Sequence, residues 1–354
     1  MHTANKVTIG IDLGGTSMRV GVFDDAMQLL HSTSMPTQVA GGPERAVARL
    51  TAAVQDLLAT VAESKPGLQP FGIGIGSPGP INLRTGVLGV LPNLPGWENF
   101  PLRDRLADAA GLPVVLECDA NAAAIAEWKL GAGQAAGLDS MAMVTLGTGV
   151  GSGLILGGKV WHGMFGMGGE VGHATVDPGG WACGCGSRGC LEVYASANGL
   201  IRLVRSIVDA SKATPPLKVL AEQPEPFTPL QVAQLAEAGD ASAILAFERL
   251  GHYLGIGIAN LINTLDLPMI VVGGGVASAW PLFAPAMFRS VKQYSYVYGM
   301  ASPTQLETME TDRTFIRPAL LGPAAGLLGA ALLPVLAGQD KAQMNLSLHA
   351  QLTA

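Results

Sequence analysis

Val7-Thr-Ile-Gly-Ile-Asp-Leu-Gly-Gly-Thr-Ser-Met-Arg-Val-Gly-Val-Phe23 is the stretch that decides the fold. One apolar run, Val7 to Leu13, meets the turn Gly14-Gly15-Thr16, and a second run, Met18 to Phe23, follows at once, which predicts a β-hairpin. A phosphate approached by such a turn needs backbone N–H groups unobstructed by Cβ atoms, plus hydroxyls. Asp12, Gly14, Gly15 and Thr16 offer both, together with a carboxylate that can hold Mg²⁺ through water. The design returns later: Met141 to Leu146 predicts a strand, Gly147-Thr148-Gly149-Val150-Gly151-Ser152-Gly153 a glycine loop, and Leu154 to Leu156 a returning strand. Two such hairpins, one early in each half, predict a duplicated nucleotide-binding core with a cleft between the halves. Neither turn is a Walker motif, since no Gly-Lys-Ser/Thr follows, and neither opens a helix as GxGxxG does. A third turn, Gly273-Gly274-Gly275, follows the strand expected over Met269 to Val272 and reads equally as a tight turn or a nucleotide contact.

Outward from these hairpins the pattern is that of an α/β chain. Helical spacing runs over Pro43 to Val61, Pro101 to Ala110, Asn121 to Leu130 and Gly251 to Leu265; strands are expected at Phe71 to Ile75 and Val114 to Glu117. Asp119 lies at a strand-to-helix junction. Pro318 to Gly338 carries no charge and is long enough to span a bilayer. Its prolines and glycines confine the sustained helix to about Ala324–Leu333, with Pro323 in the first turn, so it reads as a buried closing helix and not a membrane span.

With 354 residues the chain has room for about two domains of ~150 residues. Charged residues are 14% of the total and the net charge is −6, so the composition is not that of a disordered chain. Without a Lys/Arg cluster there is no electrostatic footprint for nucleic acid. Four cysteines in a chain of this length do not make a disulfide scaffold, and the first ten residues lack a signal-peptide apolar region, which points to the cytoplasm. Three of them cluster as Cys183-Gly-Cys185-Gly-Ser-Arg-Gly-Cys190, preceded by Glu170-Val-Gly-His173. Three thiolates and one imidazole satisfy a tetrahedral structural Zn²⁺, with His173, Cys183, Cys185 and Cys190 as ligands.

From about Val7 to Leu333 the sequence resembles the ROK family of sugar kinases and sugar-responsive repressors. The resemblance rests on Asp12-Leu-Gly-Gly-Thr16, Gly76-Ser-Pro-Gly-Pro80, Asn93-Leu-Pro-Gly-Trp97, Asp119-Ala-Asn-Ala-Ala-Ala124, Leu146-Gly-Thr-Gly149, Glu170-Val-Gly-His173, Cys183 to Glu192 and Val272-Gly-Gly-Gly275. It implies an actin-like ATPase (ribonuclease H-like) fold with two α/β lobes and a nucleotide and sugar cleft. ATP and Mg²⁺ would lie in that cleft, with a His/Cys₃ zinc and a homodimeric assembly. The lobes would be a small one over 1–118, completed by a closing helix at about 322–337, and a large one over 119–321 carrying the zinc loop, followed by a tail over 338–354.

By matching position, Asp119 resembles the family's catalytic base, which takes the proton from the sugar hydroxyl that attacks the γ-phosphate. An N-terminal helix cap is the plainer role for it, and the two can coexist. Glu170, His173 and Glu192 resemble sugar-binding residues, with Asn93 and the Gly79 backbone as further contacts; Gly147, Thr148, Gly149, Gly273, Gly274 and Gly275 would join the first turn in holding nucleotide. One departure stands out: where the family has Asn immediately before the catalytic Asp, this chain has Cys118, and a thiol is a poor substitute for an amide. The expected function is ATP-dependent phosphorylation of glucose, because Leu94-Pro-Gly-Trp97 with Pro101-Leu102 resembles the bacterial glucokinases of this family. Mannose, fructose or N-acetylglucosamine are alternative substrates, and a catalytically weak sugar-binding protein or a sugar-sensing repressor are alternative classes.

Overall fold

The computed structural model of the chain describes residues 5–300 and 314–352, with side chains described as far as Gln339. They form two compact units, one from the described residues of 1–129, 162–168 and 324–354, the other from those of 130–161 and 169–323.

In the first unit β1 (Lys6–Leu13) and β2 (Ser17–Phe23) form the hairpin, with Leu13 opposite Met18. β3 (Leu29–Pro36) pairs antiparallel with β2. The helix α1 (Pro43–Ser64) then carries the chain over to β4 (Gln69–Ser77), which lies parallel to β1. A short hairpin, β5 (Ile81–Asn82) with β6 (Val87–Leu88), and α2 (Leu102–Ala110) precede β7 (Val114–Cys118), parallel to β4. The strand order is β3-β2-β1-β4-β7.

The period-2 alternation of strand side chains explains how both faces of this sheet are covered. Val7, Ile9, Ile11 and Leu13 of β1, with Ile73 and Ile75 of β4, join one core with Val47, Leu50 and Val54 of α1. The opposite face presents Gly10, Gly72, Gly74 and Gly76, and the last helix lies on it. A Cβ at Gly10 would overlap the Leu327 carbonyl, and one at Gly74 the Ala330 carbonyl. α3 (Asp119–Leu130) joins the same packing, because a Cβ at Gly329 would overlap the Ala122 carbonyl. The first unit therefore reaches Lys129, beyond the Cys118 boundary read from the sequence.

The second unit repeats the plan. β8 (Met141–Leu146) and β9 (Val150–Leu156) make the second hairpin, with Leu146 opposite Val150. The glycine loop is thus only Gly147 to Gly149; Gly151 and Gly153, expected in the loop, are ladder residues of β9. β10 (Lys159–Val160) extends the edge, while β11 (Met269–Gly273) and β12 (Phe315–Pro318) continue the sheet in parallel, in the order β10-β9-β8-β11-β12. Against it pack α4 (Ala197–Asp209), α5 (Ala241–Leu265) and α6 (Trp280–Tyr294). α5 starts well before the expected Gly251, because Asp240 caps it by accepting from Ser242 and Ala243 N–H groups.

The last helix, α7 (Ala325–Leu352), runs through Pro334, where the sequence predicts a stop near Leu333. Pro334 has no N–H, so the Ala330 carbonyl loses its intrahelical donor. That oxygen is the one lying over Gly74. Of the tail expected over 338–354, the backbone is helical as far as Leu352 and residues 353–354 lie outside the described residues. Among the described residues one window is long and apolar enough to cross a membrane, Gly322–Gln339, and it belongs to the helix laid on the glycine face of the sheet.

Candidate functional site

Each unit carries its own set of the residues singled out above. In the first, the β1–β2 turn is closed by Gly14 N–H donating to Ser17 O at 2.9 Å and braced from β3's end by Thr37, whose hydroxyl donates to Gly14 O at 2.6 Å. Gly15 lies against the loop bearing Asn93; a Cβ there would come within 2.7 Å of Asn93 O. That loop is anchored by burying Leu94 and Trp97, whose Nε1 donates to Val39 O at 3.3 Å, while Asn93 itself is exposed. Asp12 is gripped by Arg19, whose Nε donates to Oδ2 at 3.1 Å and whose Nη2 reaches the same oxygen. Arg19 was not among the residues singled out, although it is directly opposite Asp12 in the hairpin register, a pairing that counting across the turn would have exposed. The Asp12 carboxylate is a hard oxygen donor, which is the chemistry Mg²⁺ takes.

Asp119 follows the last residue of β7 and opens α3. Its Oδ1 accepts from Ala120 N–H at 2.7 Å and from the Cys118 thiol at 3.5 Å. Burial, with Asp119 beside it, pushes the Cys118 thiol well above the usual range, so it stays a neutral donor. Gly76 and Gly79 crowd this junction: a Cβ at Gly76 would lie 3.4 Å from Asp119 Cα and one at Gly79 3.8 Å from Cys118 Sγ. The junction also holds a buried carboxylate that the linear sequence did not reveal. Glu117 Oε1 accepts from Cys118 N–H and from Asn121 Nδ2, both at 2.9 Å, and Oε2 meets His162 Nε2 at 2.7 Å. This bond raises the His162 pKa against the opposing effect of burial.

In the second unit Gly147 N–H donates to Gly149 O at 2.9 Å, closing the short turn. Glu192 reaches back to it: Oε2 accepts from Val150 N–H at 3.1 Å, and a Cβ at Gly149 would overlap that carboxylate. Gly274, at φ 86°, sits on the end of β8, where a Cβ would come within 2.5 Å of Leu146 O. The second and third glycine turns are therefore neighbours. Glu170 and His173 flank a single helical turn over Val171–His173 that is pinned to β9, since Val171 N–H donates to Ser152 Oγ at 3.2 Å and a Cβ at Gly172 would overlap Val150 O.

The ligand atoms of His173, Cys183, Cys185 and Cys190 all lie within 4.8 Å of one another. Cys185 Sγ is 3.7 Å from Cys190 Sγ, and Cys183 Sγ is 3.7 Å from His173 Nδ1. A tetrahedral zinc with bonds of about 2.3 Å to sulfur and about 2.0 Å to nitrogen sets its ligand atoms roughly 3.5–3.8 Å apart, so this donor set fits the ion. Burial pushes the Cys183 and Cys190 thiols up, the latter to about 12, whereas the Ser187 N–H holds Cys185 down. A bound divalent cation supplies the charge that would deprotonate all three. The loop leans on an aromatic stack, Trp181 on Tyr194 at 4.9 Å and Tyr194 on Tyr253 at 3.8 Å between centroids, and Tyr194 donates to Asp177 Oδ2 at 3.0 Å.

A protein-family model described as the ROK family matches residues 8–335. A glucokinase of Halalkalibacterium halodurans is 36% identical over 326 residues, which cover 92% of this chain and 94% of that protein. The crystal structure of a ROK hexokinase from Thermus thermophilus superposes with a TM-score of 0.74 at 38% identity, covering 94% of this chain and 99% of that one. That of a ROK family glucokinase from Streptomyces griseus, in complex with glucose and AMPPNP, gives 0.72 at 34% identity over 92% and 98% of the two chains.

Proposed function

The chain belongs to the ROK family, and we propose that it is an ATP-dependent hexose kinase converting glucose to glucose 6-phosphate, with Asp119 as the base. The observation that carries this reading is the β7–α3 junction, a carboxylate set at the end of a parallel strand and tethered at one oxygen by Ala120 N–H and the Cys118 thiol. A glucokinase relative and a glucokinase structure holding glucose and AMPPNP, each matched over more than nine-tenths of this chain, support the substrate pair.

In this reading the glucose 6-hydroxyl oxygen bonds to the γ-phosphorus while the bond from that phosphorus to the ADP oxygen breaks, and the hydroxyl proton passes to Asp119. Because the transition state is loose, the proton leaves late, and Asp119 acts chiefly by orienting the hydroxyl. Backbone N–H groups of Gly14, Gly15 and Thr16, of Gly147 to Gly149, and of the Gly273 to Gly275 turn hold the nucleotide. Asp12, steadied by Arg19, would hold Mg²⁺ through water; the ion supplies charge neutralisation on the phosphates. Glu170, His173, Glu192, Asn93 and the Gly79 backbone hold sugar hydroxyls, and polar groups that the bound sugar covers discriminate against analogues that would leave them unpaired. His173, Cys183, Cys185 and Cys190 would hold a structural zinc that ties down the segment bearing Glu170, His173 and Glu192. Thiols committed to a metal and a strand end fit a reducing cytoplasm, and the resemblance implies a homodimer.

The test is a coupled ADP-release assay with glucose, mannose, fructose and N-acetylglucosamine. Glucose should give the highest kcat/KM. A higher value for another hexose moves the assignment to that sugar, and ADP release that no sugar stimulates overturns the kinase reading.

A further inference from the structure

Glu117 is the one carboxylate at the β7–α3 junction that the proposed chemistry leaves without a task. It is 6% exposed, and an ionisable side chain that deep is retained only with its hydrogen-bonding capacity filled. Its partners flank Asp119 on both sides in sequence: the N–H of Cys118 just before it, and the side chain of Asn121 two residues after it. The remaining oxygen is taken by His162, 45 residues away along the chain. His162 opens a short stretch, 162–168, that belongs to the first unit although Trp161 and Gly169 belong to the second. That stretch folds on itself, with Gly168 N–H donating to His162 O at 2.7 Å and Gly163 at φ 70°.

We infer that Glu117 and His162 are positioning residues for phosphoryl transfer: bonded to each other, they hold the β7–α3 junction and so set the direction of the Asp119 carboxylate. The inference rests on the reading of Asp119 as base. It follows from the bonding pattern, because a side chain that clamps the backbone before Asp119 and the helix turn after it leaves the residue between them little freedom. A near-attack arrangement is sensitive to displacements of an ångström or less. His162 is the more informative handle, since its side chain is 37% exposed and its removal leaves the Glu117 bonds to Cys118 and Asn121 in place.

The experiment is a double-mutant cycle. His162→Leu should lower kcat by about 5- to 50-fold while KM for glucose stays within about twofold, and His162→Gln, which can still donate to Glu117 Oε2, should recover most of the loss. Glu117→Gln, which keeps an acceptor for both partners and loses the charge facing His162, should fall between. In an Asp119→Asn background His162→Leu should have no further effect on kcat, because the pair acts through Asp119. If the two losses multiply, or if His162→Leu keeps its turnover, the positioning role is overturned while Asp119 stands. If Asp119→Asn alone keeps its turnover, the base reading fails and takes this proposal with it.

Discussion

At Cys118 the chain places a thiol whose Sγ lies 3.5 Å from Asp119 Oδ1, so this side chain is turned toward the proposed base. Replacing it with Asn returns an amide that can donate and accept where the thiol gives only a weak neutral bond, a gain of about 0.5–1.5 kcal/mol. KM for glucose should fall several-fold in Cys118→Asn with kcat changed less, since the bond exists in ground and transition states alike. A lowered melting temperature with KM unchanged would place residue 118 in the core instead. For Asp119→Asn the expected loss in kcat is on the order of 10² to 10⁴, with glucose binding by calorimetry nearly intact; a variant keeping more than about a third of its turnover is not missing its base. His162 adds a pH signature. Its pKa is raised in the folded chain, so the pair's stabilising effect is complete below the unfolded value of about 6.5 and is lost as pH rises through the folded one. The gap in melting temperature between the natural chain and His162→Leu should therefore be widest near pH 6 and close toward alkaline pH, and a gap that stays constant would mean that the imidazole is neutral throughout.

Among the elements, β4 shows how a strand can be built for a helix. Its run Phe71-Gly-Ile-Gly-Ile-Gly76 sends isoleucines into one core and glycines to the other face, and α7 lies so close there that a Cβ at Gly74 would overlap the Ala330 carbonyl. Gly74→Ala must push the helix backbone away, which should cost about 1–3 kcal/mol or more. Chemical denaturation should show this as a lowered midpoint with an unchanged slope, whereas Gly275→Ala, whose Cβ would meet nothing within 4 Å, should leave the midpoint in place. The hairpins were legible in the sequence because two apolar runs flank a glycine-hydroxyl turn, and the Cys cluster because its ligands are close in sequence. β3 was not, since an edge strand held by its backbone buries no side chain fully and shows no clean alternation. The path of α7 through Pro334 was equally hidden, for it depends on a partner strand some 260 residues earlier. Contacts such as Glu192 to Val150 and Glu117 to His162 join residues 42 and 45 positions apart, beyond the reach of any local pattern.

Across the whole molecule, two cores of the same strand plan depend on different supports. The first has Ile9, Ile11, Leu50, Ile73 and Trp97 in one apolar cluster, while His173, Cys183, Cys185 and Cys190 all belong to the other unit. The second has a large core of its own, which Leu191 joins and Val171, Val176 and Trp181 pack against, and backbone bonds span the cysteine loop: Val176 N–H to Gly189 O at 2.8 Å, Cys183 N–H to Ser187 O at 2.9 Å and Leu191 N–H to Ala174 O at 2.9 Å. A zinc held by His173, Cys183, Cys185 and Cys190 would close this segment, and metal binding to such a loop is folding free energy. Elemental analysis should find about one zinc per chain. After chelation, hydrogen exchange should quicken at Val176, Cys183 and Leu191, and the disturbance should pass through Glu192 to the Gly147 turn, because Cys183 Sγ lies 3.9 Å from Glu192 Oε1 and Glu192 Oε2 holds Val150 N–H. Ile73 and Ile75 of β4 should keep their protection. Should measured zinc removal leave exchange at Val176 and Leu191 unchanged, the aromatic stack of Trp181, Tyr194 and Tyr253 is sufficient to hold the loop and the metal has no structural task; should exchange quicken equally in β4, the two cores are not independently supported.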